Sequence, residues 1–131
     1  MEFIVSHGTK AAGLPFSDAV RVGDVLCLSG QIGNRPGSLD LVPGGIEAET
    51  RQMMENIAHV LNASGRSFDD VFKCLVMLAD MSQWAEFNKV YLGYFKPDRL
   101  PARSAFGAKG LALGAAVEME CCAWAGGREG T

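Results

Sequence analysis

The chain has 131 residues and a formal net charge of −3, with 48% hydrophobic and 21% charged residues. That length suits one domain, taken as residues 1–131, and the composition excludes a disordered chain. No apolar run approaches the roughly 20 residues that span a bilayer, and the twelve Lys and Arg are scattered singly from Lys10 to Arg128, so neither a membrane nor nucleic acid is an expected partner. The segment Met1 to His7 lacks the basic flank and long apolar core of an export signal, which makes the cytoplasm the expected compartment. Mean hydropathy is +0.10. A chain this small leaves some of that apolar content at its surface, a hint of self-association.

In chain order, Asp18 to Val22 and Val25 to Gly30 read as two strands joined by the tight turn Gly23-Asp24. Gly33 to Gly45 holds two prolines and four glycines and reads as a loop. From Ile46 to Ser64, apolar residues at Ile46, Met53, Ile57, Val60 and Leu61 recur at helical spacing. Glu47, Glu49, Arg51, Gln52 and Glu55 then face mostly outward, and Gly65 stops the helix. Ser67-Phe68-Asp69-Asp70 has the pattern of a single capped turn. Val71 to Leu78 is almost continuously apolar and reads as a central strand covered on both faces.

Asp80 caps a second helix whose buried stripe is Trp84, Phe87, Tyr91 and Phe95, with Pro97 beyond its end. Ala102 to Gly107 is a short strand, Gly107 to Gly114 a glycine-rich connection, and Ala115 to Trp124 the last strand. Residues 126–131 are expected to fray. The order β-β-α-β-α-β-β, with two helices on one face of a mixed sheet, is an α+β architecture. The other face is left bare and is the natural place for a subunit interface.

Cys27, Cys74, Cys121 and Cys122 each sit in an apolar run, with no CxxC pair and only two histidines, His7 and His59. Reduced core thiols are expected, and no metal site. The same two histidines argue against a hydrolase triad around Ser29. Glu47 and Glu49 argue against an anion at the start of the first helix.

Candidate chemistry falls on the last strand, on Arg103 and on Asn88. Side chains alternate along a strand, so Val117, Met119, Cys121 and Ala123 share the face under the helices, and Glu118, Glu120, Cys122 and Trp124 share the other. The carboxylates either form a solvated strand face or line a site on the bare face, where one orients water or a proton. Arg103 opens its strand among small residues, Ala102, Ser104, Ala105 and Gly107. It is either a surface charge or a grip for a carboxylate. Asn88 lies at helical spacing from Trp84 and Tyr91, so its amide needs a partner. It either ties the helix to a loop or braces a pocket.

Taken together, Leu28-Ser29-Gly30-Gln31, the helix around Arg51 to Ile57, Asn88 to Phe95, Pro101-Ala102-Arg103-Ser104 and Val117-Glu118-Met119-Glu120 form an ordered set. The set resembles the Rid (YjgF-type) family of reactive-intermediate imine/enamine deaminases over nearly the whole chain. The resemblance implies a chorismate-mutase-like α+β fold. It also implies a homotrimer with pockets between subunits and hydrolysis of 2-imino acids such as 2-iminobutanoate to 2-keto acids and ammonia, with no cofactor. It assigns the substrate carboxylate to Arg103 and the attacking water to Glu118, with Ser29 and Asn88 in the pocket. Phe16 stands where the family often has Tyr, and Ala105 where it often has Cys, so a hydroxyl and a thiol are absent there. Non-catalytic carboxylate binding or a chaperone-like role is the alternative, followed by ribonuclease or translation-inhibitor activity.

Overall fold

A computed structural model describes residues 1–127 of the chain. Six strands form one sheet: β1 (Glu2–Ile4), β2 (Ala19–Val22), β3 (Val25–Leu28), β4 (Val71–Leu78), β5 (Ala102–Gly107) and β6 (Val117–Trp124). Their order is β1-β2-β3-β6-β4-β5. The β4–β5 pair is parallel and every other pair antiparallel. Three helices accompany the sheet: α1 (His7–Ala11), α2 (Gly45–Ala63) and α3 (Trp84–Tyr91). The fold is α+β, as the sequence predicts. None of the helices is long and apolar enough to cross a membrane among the described residues.

The sequence reading misses β1 and α1, so the sheet has six strands rather than five. Both elements are too short to show a period. They form because Asp18, buried at the head of β2, accepts from the Ser6 N–H and the Thr9 hydroxyl, while Ser6 Oγ caps α1 by accepting from Thr9 N–H at 3.1 Å.

The core lies between α2, α3 and one face of the sheet. From α2 it takes Met53, Met54, Ile57 and Leu61, from α3 Phe87, and from the strands Leu26, Val76, Leu78, Val117 and Met119, all fully buried. Each such side chain contributes roughly 1.5–3 kcal/mol by leaving water. Gly65 takes the left-handed φ of +70° that stops α2. Ser67 and Asp70 complete a capping box around the turn before β4.

Four expectations need correction. Glu49 does not face outward; it is buried, and its Oε1 accepts from Ala116 N–H at 2.9 Å. β4 is covered on one face only, with Phe72 and Lys73 exposed and Leu75 and Met77 half-buried. Trp84 departs from the buried stripe and is 39% exposed. Cys27 is an exposed thiol and not a core one, and Cys122 is half-exposed; Cys74 and Cys121 are buried, and all four are unpaired.

The tail is held as far as it is described. Arg66 Nη2 donates to Ala125 O and Gly126 O at 2.9 Å, and Trp124 Nε1 to Gly127 O at 2.7 Å. The rest of the fraying expected over 126–131 falls outside the described residues.

Candidate active site

Arg103 is the second residue of β5, at the edge of the sheet. Its neighbour on β4 is Cys74, and beyond that Cys121 on β6, both buried under the helices. Residues paired across a ladder share a face, so Arg103 enters on the helix side. The guanidinium carbon lies 4.7 Å from the Tyr91 ring centroid, 4.9 Å from Trp84 and 5.6 Å from Phe87. These are cation–π distances. Nη1 donates to Asn88 Oδ1 at 2.8 Å. Trp84, Asn88 and Tyr91 are spaced four and three apart on α3, so one helical face presents all three. Asn88 thus braces Arg103 instead of tying the helix to a loop.

No carboxylate among the described residues pairs with Arg103. Beside it is a cavity of about 260 Å³ lined by Asn88, Tyr91, Leu92, Leu100, Pro101 and Arg103. Ala105 follows two residues later on the same face, half-buried. Beneath the guanidinium, the Tyr91 hydroxyl is buried beside the Cys74 thiol and meets no acceptor or donor in hydrogen-bond geometry among the described residues. Burial pushes the Cys74 thiol up to about 11, against a lowering contact from Tyr91. Neither group supplies a nucleophile there at neutral pH.

Glu118 is the second residue of β6, and its neighbour on β4 is Met77. That pair lies on the face opposite Arg103. The Glu118 carboxylate covers Gly30, where an added Cβ would overlap it. Gln31 and Met119 exchange both backbone hydrogen bonds, at 2.9 and 3.0 Å, and so dock the end of the β3 segment against β6. Burial, and then the neighbouring Glu120 carboxylate, hold Glu118 above the ordinary carboxylate value. Glu120 itself is exposed.

The other expected residues fall around these two. Ser29 N–H donates to Asp18 O, and its Oγ–H to Ser17 O at 2.6 Å. The hydroxyl is therefore engaged as a donor and offers only lone pairs to a ligand. Phe16 is 47% exposed, two residues before the buried Asp18. The sequence reading passes over Glu49, which, with Ala79 N–H donating to Ala116 O, clamps the Ala116 peptide two residues before Glu118. Its position on the Ile46–Met53 stripe was the available signal.

Two half-sites result. Arg103, Asn88 and Ala105 share the helix-side edge, with an aromatic wall and a cavity. Glu118, Gly30 and the Ser29 segment share the open face. A single sheet separates them, so one chain cannot present both charged groups to one small ligand.

The sequence profile of the family described as Endoribonuclease L-PSP matches residues 8–125. A 2-iminobutanoate/2-iminopropanoate deaminase of Mus musculus is 41% identical over 109 residues, which are 83% of this chain and 80% of that protein. A RutC family protein of Sulfurisphaera tokodaii is 40% identical over 119 residues, 91% of this chain and 94% of that one. Among solved structures, RidA from an Antarctic Psychrobacter superposes with a TM-score of 0.86 at 34% identity, covering 95% of this chain and 99% of that one. A chain from Thermotoga maritima described as a putative endoribonuclease gives 0.87 at 37% identity, covering 97% and 100%. With the family pattern spanning most of the sequence and the same fold in solved relatives, this chain belongs to the Endoribonuclease L-PSP family, the YjgF/RidA family.

Proposed function

We propose that the protein hydrolyses 2-imino acids, or their enamine tautomers, to 2-keto acids and ammonia. Relatives at about 40% identity carry the name of that activity. The observation that carries the reading is Arg103, its guanidinium walled by Trp84 and Tyr91, fixed by Asn88, and without a carboxylate of its own among the described residues. Such a group suits a small planar carboxylate bound through two parallel hydrogen bonds.

A protonated imine is already electrophilic, so holding it beside one ordered water is most of the task. In the proposed step, water adds to the imine carbon and gives a proton to Glu118. The resulting carbinolamine takes that proton back on nitrogen; as the C–N bond breaks its hydroxyl gives its own proton to Glu118, which passes it to the departing ammonia, so that the keto acid and an ammonium ion leave and the carboxylate is restored. Positioning of this kind supplies up to about 7–11 kcal/mol. A carboxylate with raised proton affinity suits both halves of the transfer.

Arg103 and Glu118 lie on opposite faces, so the working site takes Arg103 from one copy and Glu118 from another. A closed homotrimer, with the open sheet face turned toward its neighbours, is the assembly proposed. Phe16 and Ala105 are proposed to bound the pocket, and Ser29 to accept a hydrogen bond in it.

The test supplies imines from an amino-acid oxidase and follows 2-keto acid formation. Acceleration by wild type, lost in Arg103→Ala, is the expected result. Acceleration retained by Arg103→Ala moves the carboxylate site elsewhere. The engaged Ser29 hydroxyl favours a second reading, a carboxylate-binding module; tight keto-acid binding with no rate effect would select it.

A further inference from the structure

Glu49 lies on the inner stripe of α2 with Ile46, Thr50 and Met53, all of them buried. An apolar side chain would serve packing there, and a carboxylate taken out of water costs free energy unless it is hydrogen-bonded. Its Oε1 accepts from Ala116 N–H at 2.9 Å, and no Lys, Arg or His pairs with it among the described residues. What this side chain gives the fold is one well-placed acceptor for one peptide.

That peptide stands at a weak joint. The stretch from Ala108 to Ala115 holds no strand and one short turn, and Leu113 and Gly114 take left-handed φ values of +58° and +74°. Leu113 is the only non-glycine with such a φ among the described residues, and that conformation persists only where its surroundings over-determine it. β6 begins directly afterwards. On the β4 side its head is held by Ala79 N–H donating to Ala116 O at 3.0 Å, and on the β3 side the first bonds are those between Gln31 and Met119. Glu118 lies between these holds, two residues or about 7 Å along the strand from Ala116. With Glu49 in place, both the N–H and the C=O of Ala116 are fixed, so the strand enters with one height and one rotation. The Glu118 carboxylate lies over Gly30, where an added Cβ would overlap it, so a small rotation of the strand head displaces it.

We propose that Glu49 is a positioning residue for Glu118: through the Ala116 peptide it fixes the head of β6, and with it the carboxylate that handles the attacking water. The proposal rests on the imine-hydrolysis reading of the site. The contact itself lies in the core of one chain and is independent of how copies meet. Arg103 is held separately, by α3, so Glu49 serves one half-site only.

The test compares Glu49→Met, which keeps the bulk and removes the acceptor, with Glu49→Gln, which keeps an amide oxygen in its place. In the coupled imine assay, per folded chain, Glu49→Met should lower kcat about 10- to 100-fold and leave KM within about threefold. Glu49→Gln should stay close to wild type. Gly33→Ala, which crowds the Glu49 backbone and leaves its carboxylate alone, is the control for a merely structural effect. Refolded in equal mixture with Arg103→Ala, which brings an intact Glu118, Glu49→Met should rise to about one quarter of wild-type activity; with Glu118→Gln it should not rise. Amide hydrogen exchange needs no activity: in Glu49→Met it should quicken about tenfold over Ala116 to Glu118 and not over Cys121 to Ala123.

An unchanged kcat in Glu49→Met, an equal loss in Glu49→Gln, a loss that only tracks the folded fraction, or recovery with Glu118→Gln would each overturn the proposal. If wild type does not accelerate keto-acid formation, the imine reading fails on its own and exchange decides the rest. Local quickening then upholds the grip of Glu49 on β6, and unchanged or chain-wide exchange overturns it.

Discussion

The two faces of the sheet hold their charged groups by different means. On the helix side, the Arg103 guanidinium is enclosed by Tyr91, Trp84 and Phe87, and one nitrogen is fixed by Asn88. On the open side, Glu118 lies over Gly30 beside a second carboxylate, in a setting that favours its proton. The cation is stabilised by what surrounds it; the anion is left uncomfortable. A poised acid or base needs that discomfort, and an anchor for a carboxylate needs rigidity.

The sharpest way to break the contrast is to remove each group in turn. Arg103→Ala and Glu118→Gln should each lower kcat/KM by about 10²–10⁴-fold in the coupled imine assay. Denaturing an equal mixture of the two variants and refolding it together should return about one quarter of wild-type activity, the share of sites that random assortment completes across a cyclic interface. No recovery would place both groups in one chain's site. Thermal unfolding should separate them as well. A carboxyl group whose folded value is raised binds more protons folded than unfolded, so its ionisation costs stability as pH rises through that window. Glu118→Gln should therefore melt no lower than wild type at neutral pH.

Two glycines give the next largest effect. A methyl at Gly30 meets the mobile end of Glu118, whereas one at Gly33 meets the Glu49 backbone in α2. Gly30→Ala should push the carboxylate aside, lowering kcat about tenfold or more with little change in Tm. Gly33→Ala should cost about 1–3 kcal/mol in denaturant titration, with residual activity tracking the folded fraction. Reversal of that order would mean that Gly30 is structural.

Trp84→Ala should raise KM about 2- to 30-fold, the range of one cation–π contact, with kcat much less affected. The smallest effect is a displacement of the rate profile. Glu120 is the second cause of the raised Glu118 value, so Glu120→Gln should move the acid limb of kcat to lower pH. An upward shift would reverse the sign given to Glu120.

The candidate site was legible where local pattern fixes it. Side-chain alternation alone places Glu118 with Glu120, Cys122 and Trp124, and helical spacing alone aligns Asn88 with Trp84 and Tyr91. What escaped the sequence depends on tertiary partners. Asp18 builds α1 and anchors β1 from a distance, and Glu49 is buried because the Ala116 N–H needs an acceptor. Cys27 looks like a core residue in an apolar run until the sheet order leaves its face uncovered. That Arg103 and Glu118 lie on opposite faces follows only from the strand registers, which no spacing in the chain reveals.

Those registers carry a further consequence for how such a chain can vary. From Leu78–Val117 to Cys74–Cys121 the β4–β6 ladder runs without a bulge. A single inserted or deleted residue in β6 would exchange its two faces, driving Glu118 and Glu120 into the core and bringing Val117, Met119 and Cys121 to the surface. Substrate preference can therefore drift by substitution along these strands, while changes of length are confined to the loops between them.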